Sequence, residues 1–360
     1  MGYGGADTLL GDEGQDVLRG GDGDDALYGG AGADILVGGR GADILDGGYG
    51  GSLFDIASYE GSGSAISYNF SAPNTATGDI AEDTFIQISG IQGTRFDDTV
   101  IGDNSNQRFI GGDGDDLLRG SGGDDVLEGG EGQDTLDGGR DHDLLIGGGG
   151  GDTMIGGSGV DTASYEHSNH GIVVSFADPG RNTGDALGDT FKGVESLRGS
   201  SHDDTLILHP DFGGTMEGLA GNDVLVGSTS WDILYGGDGN DVLIGGHGRD
   251  ELHGGAGKDV FVFDVAPSSP PASRVNDFKH GVDSFHLDSD VFGGLALGKL
   301  AAAAFNDGSL PLDADDRILV NSFNNYLAYD PDGSGSQQAV IIAYLTVGAA
   351  SITASDFVVV

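Results

Sequence analysis

The chain has 360 residues and carries 59 acidic against 15 basic side chains, a formal net charge of −44 at pH 7. So large a negative charge excludes nucleic acid as a partner and opposes binding to anionic membranes. The sequence has no cysteine, which excludes a disulfide framework and thiol redox chemistry. It has no run of about 18 apolar residues, so we expect no transmembrane helix and no membrane insertion.

Residues 111–155 repeat every nine residues with the pattern G-G-x-G-x-D-x-U-x, in which U is a large apolar residue. The last three positions of each unit alternate outward, inward and outward, which is the period of a short strand with one buried side chain. The sixth position is held by Asp116, Asp125, Asp134, Asp143 and Asp152, and the eighth by Leu118, Leu127, Leu136, Leu145 and Met154. A disordered glycine-rich tract has no reason to keep an apolar residue at every ninth place.

One unit cannot bury its single apolar side chain alone, but two units form one coil of a solenoid, and stacked coils share a continuous core. The pattern therefore predicts an all-β fold, a parallel β-roll (right-handed β-helix solenoid) with interspersed larger coils and a C-terminal β-rich cap. Units n and n+2 then stack at the spacing of neighbouring strands, about 4.8 Å. Their turns present carboxylates and backbone carbonyls to one gap, and such hard oxygen ligands are those that Ca²⁺ prefers.

The candidate ligands are the sixth-position aspartates and the glycines at the second and fourth positions, because glycine lets the backbone approach an ion closely. Mg²⁺ fits less well, since it requires a tight octahedron and retains its waters. We expect about ten Ca²⁺ ions. The predicted metal-site aspartates are Asp7, Asp16, Asp25, Asp34, Asp43, Asp98, Asp116, Asp125, Asp134, Asp143, Asp152, Asp161, Asp223, Asp232, Asp241, Asp250 and Asp259. The predicted metal-site glycines are Gly21, Gly23, Gly30, Gly32, Gly112, Gly114, Gly130, Gly132, Gly237, Gly239, Gly246 and Gly248.

The repeats form three arrays separated by two spacers that are copies of one another. The segment DIASYE, which begins at Asp55, recurs as DTASYE at Asp161. The segment GDIAEDTF recurs as GDALGDTF at the same distance along the chain. Both spacers alternate apolar residues with period two, so we expect enlarged coils of one stack rather than flexible linkers. The predicted organisation is array 1 at 1–54, a β spacer at 55–92, array 2 at 93–161, a duplicate β spacer at 162–198, array 3 at 199–262 and the cap at 263–360.

Several local departures refine this prediction. Gln107 replaces the aspartate of one unit, which should weaken one or two sites, and the repeat degenerates around residues 208–217. Residues 265–273 (VAPSSPPAS) are typical of a turn-rich connector. An alanine-rich stretch at 297–305 suggests a short helix, and the segments ILV, NYLAY and AVIIAYL suggest strands of the cap.

The arrays resemble the RTX family of secreted bacterial calcium-binding proteins. The last hundred residues are similar to the C-terminal domain of serralysin-type metalloproteases, on GGAGKDVFVF, the DF-x-x-G-x-D run at 277–283, YDPDGSG at 329–335 and the closing residues 356–360. This resemblance implies an extracellular protein exported by a type I secretion machinery that reads an uncleaved C-terminal tail. The start, MGYGGADTLLGDEG, lacks the basic and apolar regions of a secretory signal peptide, which agrees with that route.

The catalytic signatures of related enzymes are absent from the sequence. A zincin needs H-E-x-x-H, and the nearest string, EHSNH at 166–170, misplaces its glutamate, so its two histidines are expected in a solvated loop. No G-x-S-x-G elbow is present. DPDGSG at 330–335 resembles half of an EF-hand loop, but Ile341 stands at its twelfth place, which favours a hairpin turn.

We therefore expect a non-catalytic, calcium-loaded extracellular β-roll protein. Two other readings remain open on the sequence. The chain could be the carrier module of a secreted enzyme, such as a metalloprotease or polysaccharide epimerase, or an adhesin that binds acidic extracellular polysaccharide through calcium bridges. A catalytic reading frame upstream would favour the first, and glycan binding abolished by a chelator would favour the second.

Overall fold

The computed structural model describes residues 1–49, 54–267, 272–308, 314–333, 335, 337–346 and 349–360. The chain forms two compact units, residues 1–165 with 185–194 and residues 166–184 with 195–360. Throughout the described ranges the regular elements are β-strands and short 3₁₀ helices. The 3₁₀ helices are Pro73–Thr75, Asp79–Glu82, Pro179–Arg181, Gly184–Ala186, Ala302–Ala304, Ala349–Ser351 and Ala354–Asp356.

The first unit consists of three parallel sheets. One contains, in order, Thr8–Glu13, Ala26–Ala31, Ile44–Gly48 and Thr84–Ile86. A second contains Val17–Asp22, Ile35–Arg40, Ile56–Ser58, Gly90–Gln92, Arg108–Asp113, Val126–Gly132, Leu144–Gly150 and Thr162–Ser164. The third contains Ser67–Asn69, Thr99–Ile101, Leu117–Arg119, Thr135–Arg140, Thr153–Ser158 and Thr190–Lys192.

The second unit has two sheets that are parallel except at one end of each. One runs through Ser196–Arg198, Thr215–Ala220, Ile233–Asp238, Glu251–Ala256, Ser273–Val275, Val340–Leu345, Tyr326–Tyr329, Ile318–Asn321 and Phe305–Asn306. The other runs through Val173–Ser175, Thr205–Ile207, Val224–Val226, Val242–Ile244, Val260–Phe263, Ser284–Leu287, Phe357–Val359 and Gly298–Lys299.

The register confirms the predicted β-roll. Leu118 pairs with Leu136 in one sheet and Leu127 with Leu145 in the other, so each strand stacks on the strand two units away. These eighth-position side chains are fully buried, because they point between the sheets of one coil. At the edge of its sheet Leu9 is only half-buried, where the pattern predicted a core residue.

The first spacer is an enlarged coil of the stack in the first unit. In the first spacer, Ile56–Ser58 pairs with Ile35–Arg40 on one side and Gly90–Gln92 on the other. Tyr68 lies in the interior of its enlarged coil, 5.0 Å from the ring of Phe85. The larger aromatic rings fill the greater width of this coil, where leucine suffices in the arrays.

The C-terminal residues cover the last coil of array 3. Phe285 pairs with Phe261 of the last repeat and with Phe357 near the end of the chain, and Phe278 stacks on Phe285 at 4.2 Å. The predicted cap strands are confirmed at Ile318–Asn321, Tyr326–Tyr329 and Val340–Leu345. The cap therefore buries an apolar end that would otherwise face water.

The predicted alanine-rich helix at 297–305 is wrong. The segment contains the strand Gly298–Lys299, antiparallel to Phe357–Val359, and the 3₁₀ turn Ala302–Ala304. Strand pairing and burial of Leu300 outweigh the helix propensity of alanine, which is the highest of any residue but is overridden by tertiary contacts. The repeat unit that opens at residue 47 is predicted to break after residue 51, and this break lies outside the described residues, as does the centre of the predicted connector at 265–273. No helix in the described ranges is long and apolar enough to cross a membrane.

Candidate calcium sites

The sixth-position aspartates of stacked turns are joined by a repeated hydrogen bond. The backbone N–H of one aspartate donates to Oδ1 of the aspartate eighteen residues later, at 2.7 to 3.1 Å in five pairs that represent the three arrays. These pairs are Asp7 with Asp25, Asp116 with Asp134, Asp125 with Asp143, Asp223 with Asp241, and Asp241 with Asp259. We call each stack of turns joined in this way a column.

The other carboxylate oxygen, Oδ2, is the feature that points to a cation. In most turns it is buried, and no donor among the described residues reaches it. These aspartates include Asp16, Asp25, Asp34, Asp43, Asp116, Asp125, Asp134, Asp143, Asp152, Asp223, Asp241 and Asp259. A buried charged oxygen without a partner is strongly destabilising, so a row of them indicates positions that a bound cation would satisfy.

Backbone carbonyls of the turns point along the same columns. Gly130 has φ +116°, and a Cβ added there would lie 1.9 Å from the carbonyl oxygen of Gly112 in the preceding turn. Gly132 has φ +144°, and its added Cβ would lie 2.0 Å from the carbonyl oxygen of Gly114. Only glycine tolerates both this dihedral angle and this approach. All twelve predicted site glycines have positive φ: Gly21, Gly23, Gly30, Gly32, Gly112, Gly114, Gly130, Gly132, Gly237, Gly239, Gly246 and Gly248.

The first glycine of a unit shows that carboxylate and carbonyl oxygens converge. A Cβ added at Gly129 would lie 2.2 Å from Oδ2 of Asp134 and 2.6 Å from the carbonyl oxygen of Gly147, two units later. The same arrangement recurs at Gly236, with Asp241 and the carbonyl of Gly254. The donor set is thus entirely oxygen, drawn from consecutive turns, and it suits a hard cation such as Ca²⁺.

Electrostatics within a column also favour a bound cation. Burial, together with repulsion from the carboxylates of neighbouring turns, raises the pKa of Asp116 to about 8 and that of Asp134 to about 7. Burial likewise raises the pKa of Asp125 to about 8, with Asp143 as the nearest like charge. These carboxyl groups resist ionisation unless a positive charge compensates them.

Side chains alone do not assemble a metal site. Within the described ranges no group of three or more His, Cys, Asp or Glu side chains is placed to hold an ion. Ligation would therefore depend on backbone carbonyls together with the aspartates. His167 and His170 of the EHSNH string are exposed, as expected for a solvated loop.

Four predicted aspartates have an Oδ2 that accepts a hydrogen bond. Oδ2 of Asp7 accepts one from the N–H of Tyr3 at 3.4 Å. Oδ2 of Asp98 accepts a hydrogen bond from the N–H of Thr94, and Oδ2 of Asp232 accepts one from Ser228. Oδ2 of Asp250 accepts one from the hydroxyl of Ser273. Gln107 keeps its place in the column, since its own N–H donates to Asp125 at 2.8 Å.

Sequence reasoning missed five aspartates that extend the columns through the spacers and cap. Asp34 donates its N–H to Asp55, Asp43 to Asp83 and Asp152 to Asp189, and the same bond links Asp204 to Asp223 and Asp259 to Asp283. Each missed aspartate stands two residues before a residue that pairs inside a sheet, as Asp83 does before Phe85. A search for D-x-U without its glycine turn would have found four of them, but not Asp55, which is followed by the small Ala57.

Comparison with known proteins agrees with this geometry. The model of the RTX calcium-binding nonapeptide repeat (four copies) matches residues 1–36, 28–51, 91–117, 101–136, 110–145, 128–163, 212–243 and 226–261. The chain carries RTX calcium-binding nonapeptide repeats. Such repeats bind Ca²⁺, and RTX repeat proteins are typically secreted.

Other comparisons are more distant. No curated protein matches the RTX chain. Among solved structures, the extracellular lipase LipA from Serratia marcescens is matched at 17% identity with a TM-score of 0.16, over 73% of this chain. The matched region covers 40% of the lipase chain.

Proposed function

We propose that this RTX chain is a secreted, non-catalytic β-roll protein that folds on binding calcium after type I export. The observation that carries the proposal is the row of buried Oδ2 atoms, such as those of Asp116 and Asp134, that no donor in the described part of the chain satisfies. Calcium ions would satisfy these atoms and neutralise part of the net charge of −44.

The balance of forces makes folding dependent on the ion. Without calcium, rows of carboxylates repeat at about 4.8 Å and repel one another. The apolar core is thin, with one side chain in nine residues, and 71 glycines lose much conformational entropy on folding. Extracellular calcium modules bind with Kd of about 0.1–1 mM, so at millimolar calcium each site contributes about 0.4–1.4 kcal/mol.

Calcium titration followed by circular dichroism tests folding. We expect a cooperative transition to β structure on adding millimolar Ca²⁺, reversed by a chelator and not produced by Mg²⁺. The same β spectrum in excess chelator as in calcium would show that the apolar core suffices, and the calcium-dependent folding proposal would be wrong.

The proposed export route relies on the same dependence of folding on calcium. Free calcium in the cytosol is far below these dissociation constants, so the chain would remain unfolded there and could thread through an exporter. We expect that deleting residues 351–360 abolishes export by a type I machinery. Because Phe357 packs on Phe285, the deletion also disturbs the cap. The control is Phe357→Ala, which removes the ring but keeps the tail and should still be exported.

The absence of catalysis is supported by where perturbed groups lie. Among the described residues, every carboxyl whose pKa is raised to about 6 or above belongs to a column: Asp83, Asp116, Asp125, Asp134, Asp143, Asp189, Asp223, Asp250 and Asp259. Active sites also concentrate perturbed groups, but here they follow the calcium-binding turns. Hydrolysis of ester, peptide or polysaccharide substrates by the pure calcium-loaded chain would contradict the proposal.

A further inference from the structure

The turns of the roll fall into two classes. In an open turn, Oδ2 of the sixth-position aspartate has no donor within the described residues, as in the turn that ends at Asp134. In a closed turn, the N–H of the second residue donates to the sixth-position side chain. Four closed turns have no glycine at the second or fourth position: Thr94 to Asp98 at 2.6 Å, Asp103 to Gln107 at 2.9 Å, Ser200 to Asp204 at 2.6 Å and Ser228 to Asp232 at 2.7 Å.

Hydroxyl groups complete the closure in three of these turns. The Ser228 hydroxyl lies 3.2 Å from Oδ1 and 3.0 Å from Oδ2 of Asp232. The Ser200 hydroxyl makes the same contacts with Asp204, and the Thr94 hydroxyl donates to Oδ1 of Asp98 at 3.2 Å. In a closed turn, donors of the chain itself thus occupy the carboxylate oxygens that an open turn leaves for a cation.

A comparison of two serines at the same position shows what closes a turn. Ser121 is the second residue of its unit, yet it has φ +82° and its turn stays open, with Gly123 at the fourth position. Ser228 is also the second residue of its unit, but Ser230 occupies the fourth position of that unit. The φ of Ser228 is not positive. The four closed turns named above lack glycine at both positions. A fourth-position glycine alone does not keep a turn open, because the N–H of Lys279 donates to Oδ2 of Asp283 although Gly281 stands between them. The open turn of Ser121 is distinguished by the positive φ of its second residue.

Three of the closed turns lie at the start of a repeat array. In the first unit of the structure, the turns beginning at Gly93 and Gly102 precede the open turns beginning at Gly111 and Gly120. In the second unit, the turn beginning at Gly199 precedes the open turn of Asp223. A first turn has no preceding repeat turn to share an ion with, so an oxygen left open there would lack part of its ligand partners.

The far ends of columns are satisfied by other donors. The Tyr59 hydroxyl donates to Oδ2 of Asp83 at 2.6 Å. In the duplicate spacer the Tyr165 hydroxyl donates to Oδ2 of Asp189, also at 2.6 Å. In the cap, the Lys279 N–H donates to Oδ2 of Asp283 at 2.7 Å, and its ammonium group donates to the carbonyl of Gly255 at 2.6 Å. A protonated amine thus contacts a second-position carbonyl at the end of this column.

We propose that the closed turns and these end contacts take no calcium, and that hydroxyl, amide and ammonium donors replace the ion there. Calcium is confined to the open turns, while the closed turns and these end contacts are held by the chain itself. This inference rests on the proposed calcium binding of the open turns. It removes Asp98 and Asp232 from the candidate ligands.

The turn that contains Ser228 offers a gain-of-site test. A Cβ added at Gly227 would lie 2.7 Å from Oδ2 of Asp232 and 2.5 Å from the carbonyl of Gly245, the same convergence as in open turns. The double variant Ser228→Gly, Ser230→Gly restores both glycines and releases Oδ2. We expect one additional Ca²⁺ per chain by equilibrium dialysis with metal analysis.

Trp231, the single tryptophan of the chain, reports on this turn because it precedes Asp232. Terbium luminescence excited through Trp231 should rise severalfold in the double variant relative to the native chain. The matched control is Thr229→Gly, an exposed third position, which should change neither stoichiometry nor luminescence. Ser228→Ala keeps the hydrogen bond from the backbone N–H of residue 228 to Oδ2 of Asp232, so this variant should bind the native number of ions.

The outcomes separate the two proposals. A native chain that binds no calcium would contradict the proposed function itself. A native chain that binds calcium while the double variant folds and gains no ion would overturn the inference alone, as would loss of an ion in Ser228→Ala. If the double variant does not fold, Ser200→Gly, His202→Gly in the equivalent closed turn repeats the test, and failure to gain an ion there overturns the inference.

Discussion

The backbone N–H of Asp116 donates a 2.8 Å hydrogen bond to Oδ1 of Asp134, eighteen residues further along the chain. The N–H of Asp134 in turn donates to Oδ1 of Asp152 at 2.9 Å. One carboxylate oxygen therefore fixes the register of two stacked turns, while Oδ2 of the same group remains for a cation. Register and metal binding are coupled through a single side chain.

Replacing Asp134 tests this coupling. We expect Asp134→Ala to lower the calcium stoichiometry by one to two ions, because the residue lies between the turns of Asp116 and Asp152. Equilibrium dialysis with metal analysis measures the change. The control is Asp113→Asn, an exposed third-position carboxylate, which should leave the stoichiometry unchanged. Native stoichiometry in Asp134→Ala would rule out the proposed register of the sites.

Glycine at the second position should be required by backbone geometry. Gly130→Ala places a Cβ against the carbonyl of Gly112 at φ +116°, which should cost at least about 1–3 kcal/mol in backbone strain alone. We expect the calcium midpoint of folding to rise several-fold in circular dichroism. Gly122→Ala, where φ is not positive and the nearest atom lies 3.3 Å from the added Cβ, should change the midpoint little. Equal midpoints for both variants would contradict the close stacking of turns.

The calcium-free chain should be more stable in acid. Burial, aided by neighbouring carboxylates, raises the pKa of Asp116 to about 8 and that of Asp134 to about 7, against about 3.9 in an unfolded chain. The folded state then binds more protons between these values, so its stability falls as the pH rises from about 4 to about 8. In excess chelator we expect the β signal to increase as the pH is lowered from 8 to 5.

With calcium present, lowering the pH should instead oppose folding, because protons and Ca²⁺ compete for the same oxygens. The calcium concentration at the folding midpoint should increase as the pH falls from 8 to 5. Sedimentation at each pH separates folding from association, which loss of charge promotes. A β signal in chelator that decreases on acidification would contradict the burial of these carboxyl groups.

The tyrosine contacts of the spacers should stabilise the calcium-loaded protein. Tyr165→Phe removes the hydroxyl that donates to the fully buried Asp189, which should lower the free energy of unfolding by about 1–3 kcal/mol at saturating calcium. Tyr59→Phe should act in the same direction through Asp83. Tyr28→Phe, at an exposed position, should change the free energy of unfolding by less than about 0.5 kcal/mol. Urea unfolding measures all three, and an unaffected Tyr165→Phe would show that the contact contributes nothing.

The local pattern of the sequence was sufficient to predict much of the fold. The nine-residue period requires Leu118 and Leu136 to share one face, and glycine at positions two and four permits the turn, since both effects act within a few residues. The pairing of Asp116 with Asp134 follows from that period once two units make a coil. Strands at the spacers followed from the alternation of their apolar residues.

Only the tertiary structure decided which oxygens a cation could reach. Asp43 and Asp83 are 40 residues apart, and Asp152 and Asp189 are 37 apart, so no nine-residue period relates them. Asp98 and Asp232 hold the sixth position of a unit as Asp134 does, but hydrogen bonds from Thr94 and Ser228 occupy their Oδ2 atoms. The alanine-rich segment became a strand because the end of the chain pairs with it. In each case a hydrogen bond or a buried contact supplies the deciding energy, and the atoms that make it are close together only in the folded chain.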